Sequence, residues 1–204
     1  MSKLLVIHSS PMGDKSVTRQ LAAAFVEQYQ STHDGAEVVE RDVSALNLPH
    51  LDGEILGAFF TPAEDRTEEQ VAHAKRSEQL IAEFKNADSV VIGAPMHNFG
   101  IPSTLKAYID HIARAGETFK YTENGPVGLV EDKPVYVIAA RGGDYSENGY
   151  PHMDFVLPYL QTVLGFIGVQ NVTLIQANGI AMGEEAAAQA IAGATQKISE
   201  ALAA

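Results

Sequence analysis

Three stretches of this chain gather polar and conformationally permissive residues where a short apolar run ends, which is where ligand chemistry tends to sit. The first is Ser9-Ser10-Pro11-Met12-Gly13-Asp14-Lys15-Ser16-Val17-Thr18, rich in hydroxyls and leading into a helical pattern. A helix amino terminus presents free N–H donors and the positive end of its dipole, so Ser10, Ser16, Thr18 and nearby amides can hold a phosphate. The stretch lacks the lysine pattern of a P-loop and the three glycines of a dinucleotide fingerprint, which argues against ATP and against a Rossmann-type NAD site. The second is Ala94-Pro95-Met96-His97-Asn98-Phe99-Gly100-Ile101-Pro102, stiffened by its two prolines. Met96, His97, Asn98 and Phe99 offer an apolar face with polar groups along an edge, as a flat heteroaromatic ring requires. The third is Ala140-Arg141-Gly142-Gly143-Asp144, where adjacent glycines let backbone amides approach a flat ligand and Arg141 adds positive charge. Each has an ordinary structural alternative: Ser16 as an N-cap, Phe99 as core beside a solvated His97, and Gly142-Gly143 as a plain turn.

Taken together, a phosphate site, an apolar shelf and an amide edge suit FMN, whose reduced anionic ring amides and a cation near N1 and O2 would stabilise. These stretches need a frame that brings them to one place. Residues 3 to 8 form an apolar run, after which Val17, Leu21, Phe25 and Tyr29 recur at helical spacing. Strands follow at 37–43, 89–94, 135–140 and 171–177. Helices lie around 66–86, over Leu105, Tyr108, Ile109 and Ile112, over 154–167, and along the stripe Ala187, Ile191, Ala194, Ile198 and Leu202. Five strands alternating with five helices predict an α/β fold: a doubly wound, five-stranded parallel sheet with helices on both faces, since parallel strands need crossovers. In such a sheet ligands bind beyond the carboxyl ends of the strands near the switch point, where the loops after the first, third and fourth strands converge. Residues 44–65 carry the weakest pattern and read as an ordered excursion. No linker or repeat divides residues 1–204, so one domain is expected.

Composition narrows the chemistry. A formal charge of −12 disfavours nucleic acid and anionic lipid as partners, and the absence of cysteine excludes disulfides, thiolate nucleophiles and Cys-ligated metals. Redox work would therefore need a borrowed cofactor. The chain has no secretory signal and no membrane-length apolar run, so a cytoplasmic location is expected. It also lacks a G-x-S-x-G nucleophile elbow and an H-E-x-x-H metal helix, so neither a catalytic side chain nor a metal is assigned. His111 and His152 read as core or surface residues, and Lys106 with Asp110 as a local i,i+4 ion pair.

The loops, with Tyr121-Thr122-Glu123-Asn124-Gly125-Pro126 and Leu164-Gly165-Phe166-Ile167-Gly168, resemble the FMN-dependent NADH azoreductases, flavodoxin-like quinone reductases of bacteria, over nearly the whole chain. The resemblance implies FMN contacts at Ser10, Ser16, Val17, Thr18, Met96, His97, Asn98, Phe99, Ala140, Arg141, Gly142 and Gly143. It implies a homodimer with Tyr121 and Phe166 lining a pocket for quinones and azo compounds. NADH is the expected donor, with NADPH as the alternative that the lack of a basic cluster disfavours. The sequence departs from the family at His97, where an aromatic residue is common, and at Ala140, where serine is. A flavodoxin-type one-electron carrier acting on protein partners is the rival reading. The apolar helix containing Phe155, Val156, Leu157, Tyr159, Leu160, Val163, Leu164 and Ile167 covers more than one stripe, which favours the dimer.

Overall fold

The computed structural model describes residues 2–203. Strand β1 (Lys3–His8) is buried from Leu4 onward and leads, through the hydroxyl loop, into helix α1 (Val17–Thr32). The Ser16 side chain caps α1 by accepting from the Arg19 N–H at 3.4 Å, and Leu21, Phe25 and Tyr29 are its buried stripe. After β2 (Glu37–Asp42) come α2 (Gly53–Phe60), capped by Asp52, and α3 (Glu68–Asn86), opened by a Thr67/Gln70 capping box. Strand β3 (Ser89–Gly93) is buried at every residue and is followed by α4 (Ser103–Ile112), which begins directly after Pro102. A hairpin of β4 (Phe119–Thr122) and β5 (Gly125–Gly128) precedes β6 (Val135–Ala140), α5 (Val156–Ile167), β7 (Val172–Ala177) and α6 (Glu184–Ala203).

The main sheet has five parallel strands in the order β2-β1-β3-β6-β7, as expected for the flavodoxin-like fold. The two-residue period of the strands divides the apolar side chains between two cores. Leu5, Ile7, Val90, Ile92, Val135 and Val137 face α3, α4 and α5, whose buried residues include Leu80, Phe84, Leu105, Tyr108, Leu160 and Leu164. Leu4, Val6, Val91, Ile138 and Ile175 face α1 and α6 through Leu21, Phe25, Ala194 and Ile198. The order reverses direction between β1 and β3, which makes the carboxyl ends of those strands the switch point.

Two elements exceed the sequence reading. The excursion at 44–65 contains α2, and the segment after α4 forms the β4–β5 hairpin, so among the described residues six α-helices stand where five were expected. The hairpin lies against the end of α5 at a glycine pair: a Cβ on Gly128 would meet Gly168 backbone atoms at 2.3–2.4 Å, so no side chain fits at Gly128. Among the described residues no helix is long and apolar enough to cross a membrane.

Candidate functional site

The hydroxyl loop leaves β1 and is fixed from beneath. Ser9 Oγ donates to the Gly93 carbonyl at 2.6 Å, tying the end of β1 to β3, and Ser10 Oγ accepts from the Met12 N–H at 3.3 Å. Arg19 reaches back from α1, donating from Nη2 to the Ser10 carbonyl at 3.2 Å and to Asp42 Oδ2 at 2.5 Å. Burial opposes ionisation of Asp42, but hydrogen bonds from Ser44 and Arg19 outweigh it and hold the carboxyl below its ordinary value. Ser16 and Thr18 are buried, and their hydroxyls are 3.0 Å apart. The N–H groups of Val17 and Thr18 find no acceptor among the described residues, so the first turn of α1 keeps donors for an anion.

The loop after β3 turns back on itself. His97 and Gly100 exchange backbone hydrogen bonds at 2.9 and 3.1 Å, and the central residues Asn98 and Phe99 both have positive φ, 48° and 71°. A tight turn with two left-handed residues is usually built from Asn-Gly. Here a phenylalanine takes the glycine position, 41% exposed, with its ring edge toward Tyr145. Strain of this kind concentrates where a side chain must be displayed. His97 and Asn98 are exposed as well, whereas Met96 is half-buried against the core.

The loop after β6 supplies Ala140, Arg141, Gly142 and Gly143. The carbonyls of Gly142 and Gly143 accept from Ala181 and Gly179, while no acceptor is found for either glycine N–H among the described residues. The amide edge expected from the sequence is therefore present. The cation is not: the Arg141 guanidinium is fully buried, donates to Asp154 Oδ2 at 2.5 Å, and also reaches Gln176 Oε1 at 3.3 Å. Burial of so strong a charge demands a carboxylate partner, and Asp154, just ahead of α5, neutralises it. Arg141 thus anchors the loop and presents no free charge to a ligand.

These loops line one cavity of about 180 Å³ that brings together Ser10, Ser16, Val17, Thr18, His97, Ala140, Arg141 and Gly142. Its wall also includes Met12, Lys15, Pro95, Ile180 and Ala181, which the sequence reading had left out. Ile180 and Ala181 come from the loop after β7, which sits beside β6 in the sheet, so the strand order was the signal that would have found them. His97 also lines a larger neighbouring cavity of about 580 Å³, with Asn98, Ile101, Lys106, Phe155 and Tyr159. Tyr121 and Phe166 lie outside the smaller cavity: each packs on the Phe119 ring, at 5.6 and 4.4 Å between centroids, and Tyr121 is 73% exposed. The Lys106–Asp110 pair is formed at 2.6 Å, and His111 is buried, with Nε2 3.0 Å from the Pro49 carbonyl.

A profile of the flavodoxin-like fold matches residues 2–202. The chain belongs to this flavodoxin-like family. Within it, the chain is 52% identical over 202 residues to the FMN-dependent NADH:quinone oxidoreductase of Herminiimonas arsenicoxydans, covering 99% of both chains. Among solved structures, it is similar to an azoreductase from Bacillus anthracis str. Sterne, with a TM-score of 0.91 and 31% identity over 99% of both chains. It is also similar to an FMN-dependent NADH-azoreductase from Bacillus anthracis str. Ames Ancestor, solved in complex with FMN. That comparison has a TM-score of 0.89 and 31% identity over 100% of this chain and 98% of the other. The kinship expected from the loops is thus found. The unpaired amides at Val17, Thr18 and Gly142 are set around one cavity with the Ser16 and Thr18 hydroxyls, and Gly143 lies next in the chain, outside its lining.

Proposed function

We propose that this protein is an FMN-dependent NADH:quinone oxidoreductase with azoreductase activity. The observation that carries the reading is the convergence of unpaired backbone donors from the β1 and β6 loops on one cavity walled by the β3 loop. FMN held there would supply the redox chemistry, two-electron transfer from a nicotinamide to a quinone or azo group. The chain's own task is to bind, orient and shield.

Ser10, Ser16, Thr18 and the first-turn amides of α1 would hold the phosphate, with Lys15 at the mouth. Met96 to Phe99 would form the shelf beside the ring, and the Gly142 and Gly143 N–H groups would meet its polar edge. No side chain acts as nucleophile or general base. Fixed N–H dipoles stabilise charge on the ring edge without reorganising, which is their advantage over a mobile cation. The protein works as one FMN-binding domain spanning residues 1–204 and pairs as a homodimer in the cytoplasm. Phe155 at 60% exposure and the apolar wall of the 580 Å³ cavity support a partner surface beside the shelf. Tyr121 and Phe166 would then bound the acceptor pocket across that interface.

Ligand released from the purified protein by heat should chromatograph as FMN. NADH should bleach the bound flavin, and quinone should restore its colour. Because donor and acceptor use one pocket in turn, double-reciprocal plots at several fixed acceptor concentrations should be parallel. Intersecting lines would demand a ternary complex, and flavin that neither NADH nor NADPH bleaches would promote the one-electron carrier instead.

A further inference from the structure

Away from the flavin cavity, Glu54 on α2 and Glu69 and His73 on α3 bring two carboxylates and an imidazole together, with one ligand-type atom from each all within 4.8 Å of one another. Two helices build the cluster. Glu69 and His73 stand four residues apart on α3, so they share one face of that helix. Glu54 reaches them from the first turn of α2 because the two helices pack side by side and are tied at their near ends. The tie is Gln70: part of the α3 capping box, it donates from Nε2 to Thr61 Oγ1, just past the end of α2, at 3.3 Å.

Both glutamates are exposed and His73 is half-buried, so the cluster is reachable from solvent. Among the described residues neither Glu54 nor Glu69 forms an ion pair with a lysine or arginine. Two carboxylates thus share one spot with an imidazole and without a paired cation. This donor set differs from a patch of surface acids: carboxylates alone suit magnesium or calcium, whereas an imidazole beside them suits zinc and its first-row neighbours. The spacing fits as well. Tetrahedral zinc, with bonds of about 2.0–2.2 Å, holds its donors roughly 3.3–3.6 Å apart. Exposed glutamate side chains have the rotamer freedom to close from 4.8 Å to that distance.

We propose that Glu54, Glu69 and His73 bind a divalent cation of the zinc class through three protein ligands, with water completing the tetrahedron. Its effect is local. The ion ties the amino end of α2, a helix of eight residues too short to be stable alone, to the longer α3. None of the three residues lines the cavity assigned to FMN, so the inference stands apart from the flavin reading.

The test is calorimetric titration of the FMN-saturated protein with zinc chloride in a magnesium-containing buffer, alongside a 1H–15N spectrum of the histidine rings. Zinc should move the His73 ring nitrogens and raise the Tm. His73→Ala and Glu54→Gln should each weaken that binding by roughly tenfold or more, since losing even a group that only supports a metal ligand costs about 10–100-fold. Glu54→Gln alters an exposed side chain and leaves the core intact, so it decides the matter should His73→Ala fail to fold. Zinc binding that Glu54→Gln leaves unchanged would overturn the site, leaving Glu54 and Glu69 as first-turn acids that serve their helix dipoles. So would zinc that moves other histidine rings while His73 stays still, or magnesium that competes with zinc on equal terms.

Discussion

The turn at Asn98-Phe99 yields a double substitution test with a worked sign. Phe99 sits at φ 71°, where a residue with a Cβ is strained by about 1–2 kcal/mol and glycine is not. Removing the ring alone, as in Phe99→Ala, keeps that strain and loses the edge contact with Tyr145, whose ring centroid is 6.5 Å away. Phe99→Gly loses the same contact but releases the strain, against about 0.4–1 kcal/mol of extra entropy in the unfolded chain. The difference between the two variants therefore isolates the backbone term: glycine should be the more stable by about 0.5–1 kcal/mol. For a chain of this size that corresponds to roughly 1–4 °C in Tm. The assay is thermal and urea unfolding of flavin-free protein, so that differences in cofactor affinity do not enter through linkage. Both variants should also bind the acceptor more weakly, by a similar factor, because both lack the displayed ring. An alanine variant as stable as the glycine variant would refute the claim that Phe99 is held in a strained turn for display.

Asp154→Asn should destabilise the fold by about 3–5 kcal/mol in urea unfolding, since it leaves the Arg141 guanidinium buried without its carboxylate. Lys133 Nζ donates to the carbonyls of Phe84, Lys85 and Ala87 at 3.3, 2.7 and 2.5 Å, closing the end of α3. Lys133→Met should cost about 2–4 kcal/mol by leaving those carbonyls unsatisfied, again read from urea midpoints. Burial, then the Arg19 charge, lowers the pKa of His8 from 6.5, outweighing Glu40, so the folded state favours neutral imidazole. Stability from His8 is therefore complete above pH 6.5 and falls as the pH drops below it, where the unfolded chain takes up the proton first. His8→Leu should flatten part of the decline in unfolding midpoint between neutral and mildly acid pH, and an unaltered slope would show that folding does not shift the His8 pKa. Gly143→Val should weaken FMN binding at least tenfold in apoprotein titrations by masking the amide edge, with little effect on the sheet.

Much of this architecture was legible in the sequence because its signals are local. The strand and helix periods of β1, α1, β3, β6 and α6 depend on burial against one sheet, and burial is what hydrophobic spacing reports. Helix α2 escaped because it is eight residues long and its sequence, GEILGAFF, has two glycines and apolar residues on most sides. The hairpin escaped because its burial pattern is mostly exposed, with only Phe119 buried, so alternation has little to report. The site followed the same division. Backbone donors at Val17, Thr18 and Gly142-Gly143 could be foreseen, since helix starts and glycine pairs often leave amides free. The fate of Arg141 could not, because Asp154 lies in the next helix's approach and only the packing of α5 brings the charges together. Ile180 and Ala181 were likewise hidden until the position of β7 beside β6 was known.

The strand order has a consequence for how the chain is made. As it leaves the ribosome, β1, β2 and β3 emerge before β6, and they already form a contiguous half-sheet, β2-β1-β3. The open edge of that half-sheet is β3, whose Val90, Val91 and Ile92 are fully buried once β6 has paired. Until residues 135–140 arrive, a strand that the finished fold buries at every residue is an unprotected edge, the template on which chains aggregate. The α4 helix and the hairpin are synthesised in that interval. The nascent chain is most exposed to misassembly while the segment between Ser103 and Gly128 is being added, and a chaperone's protection would matter most there.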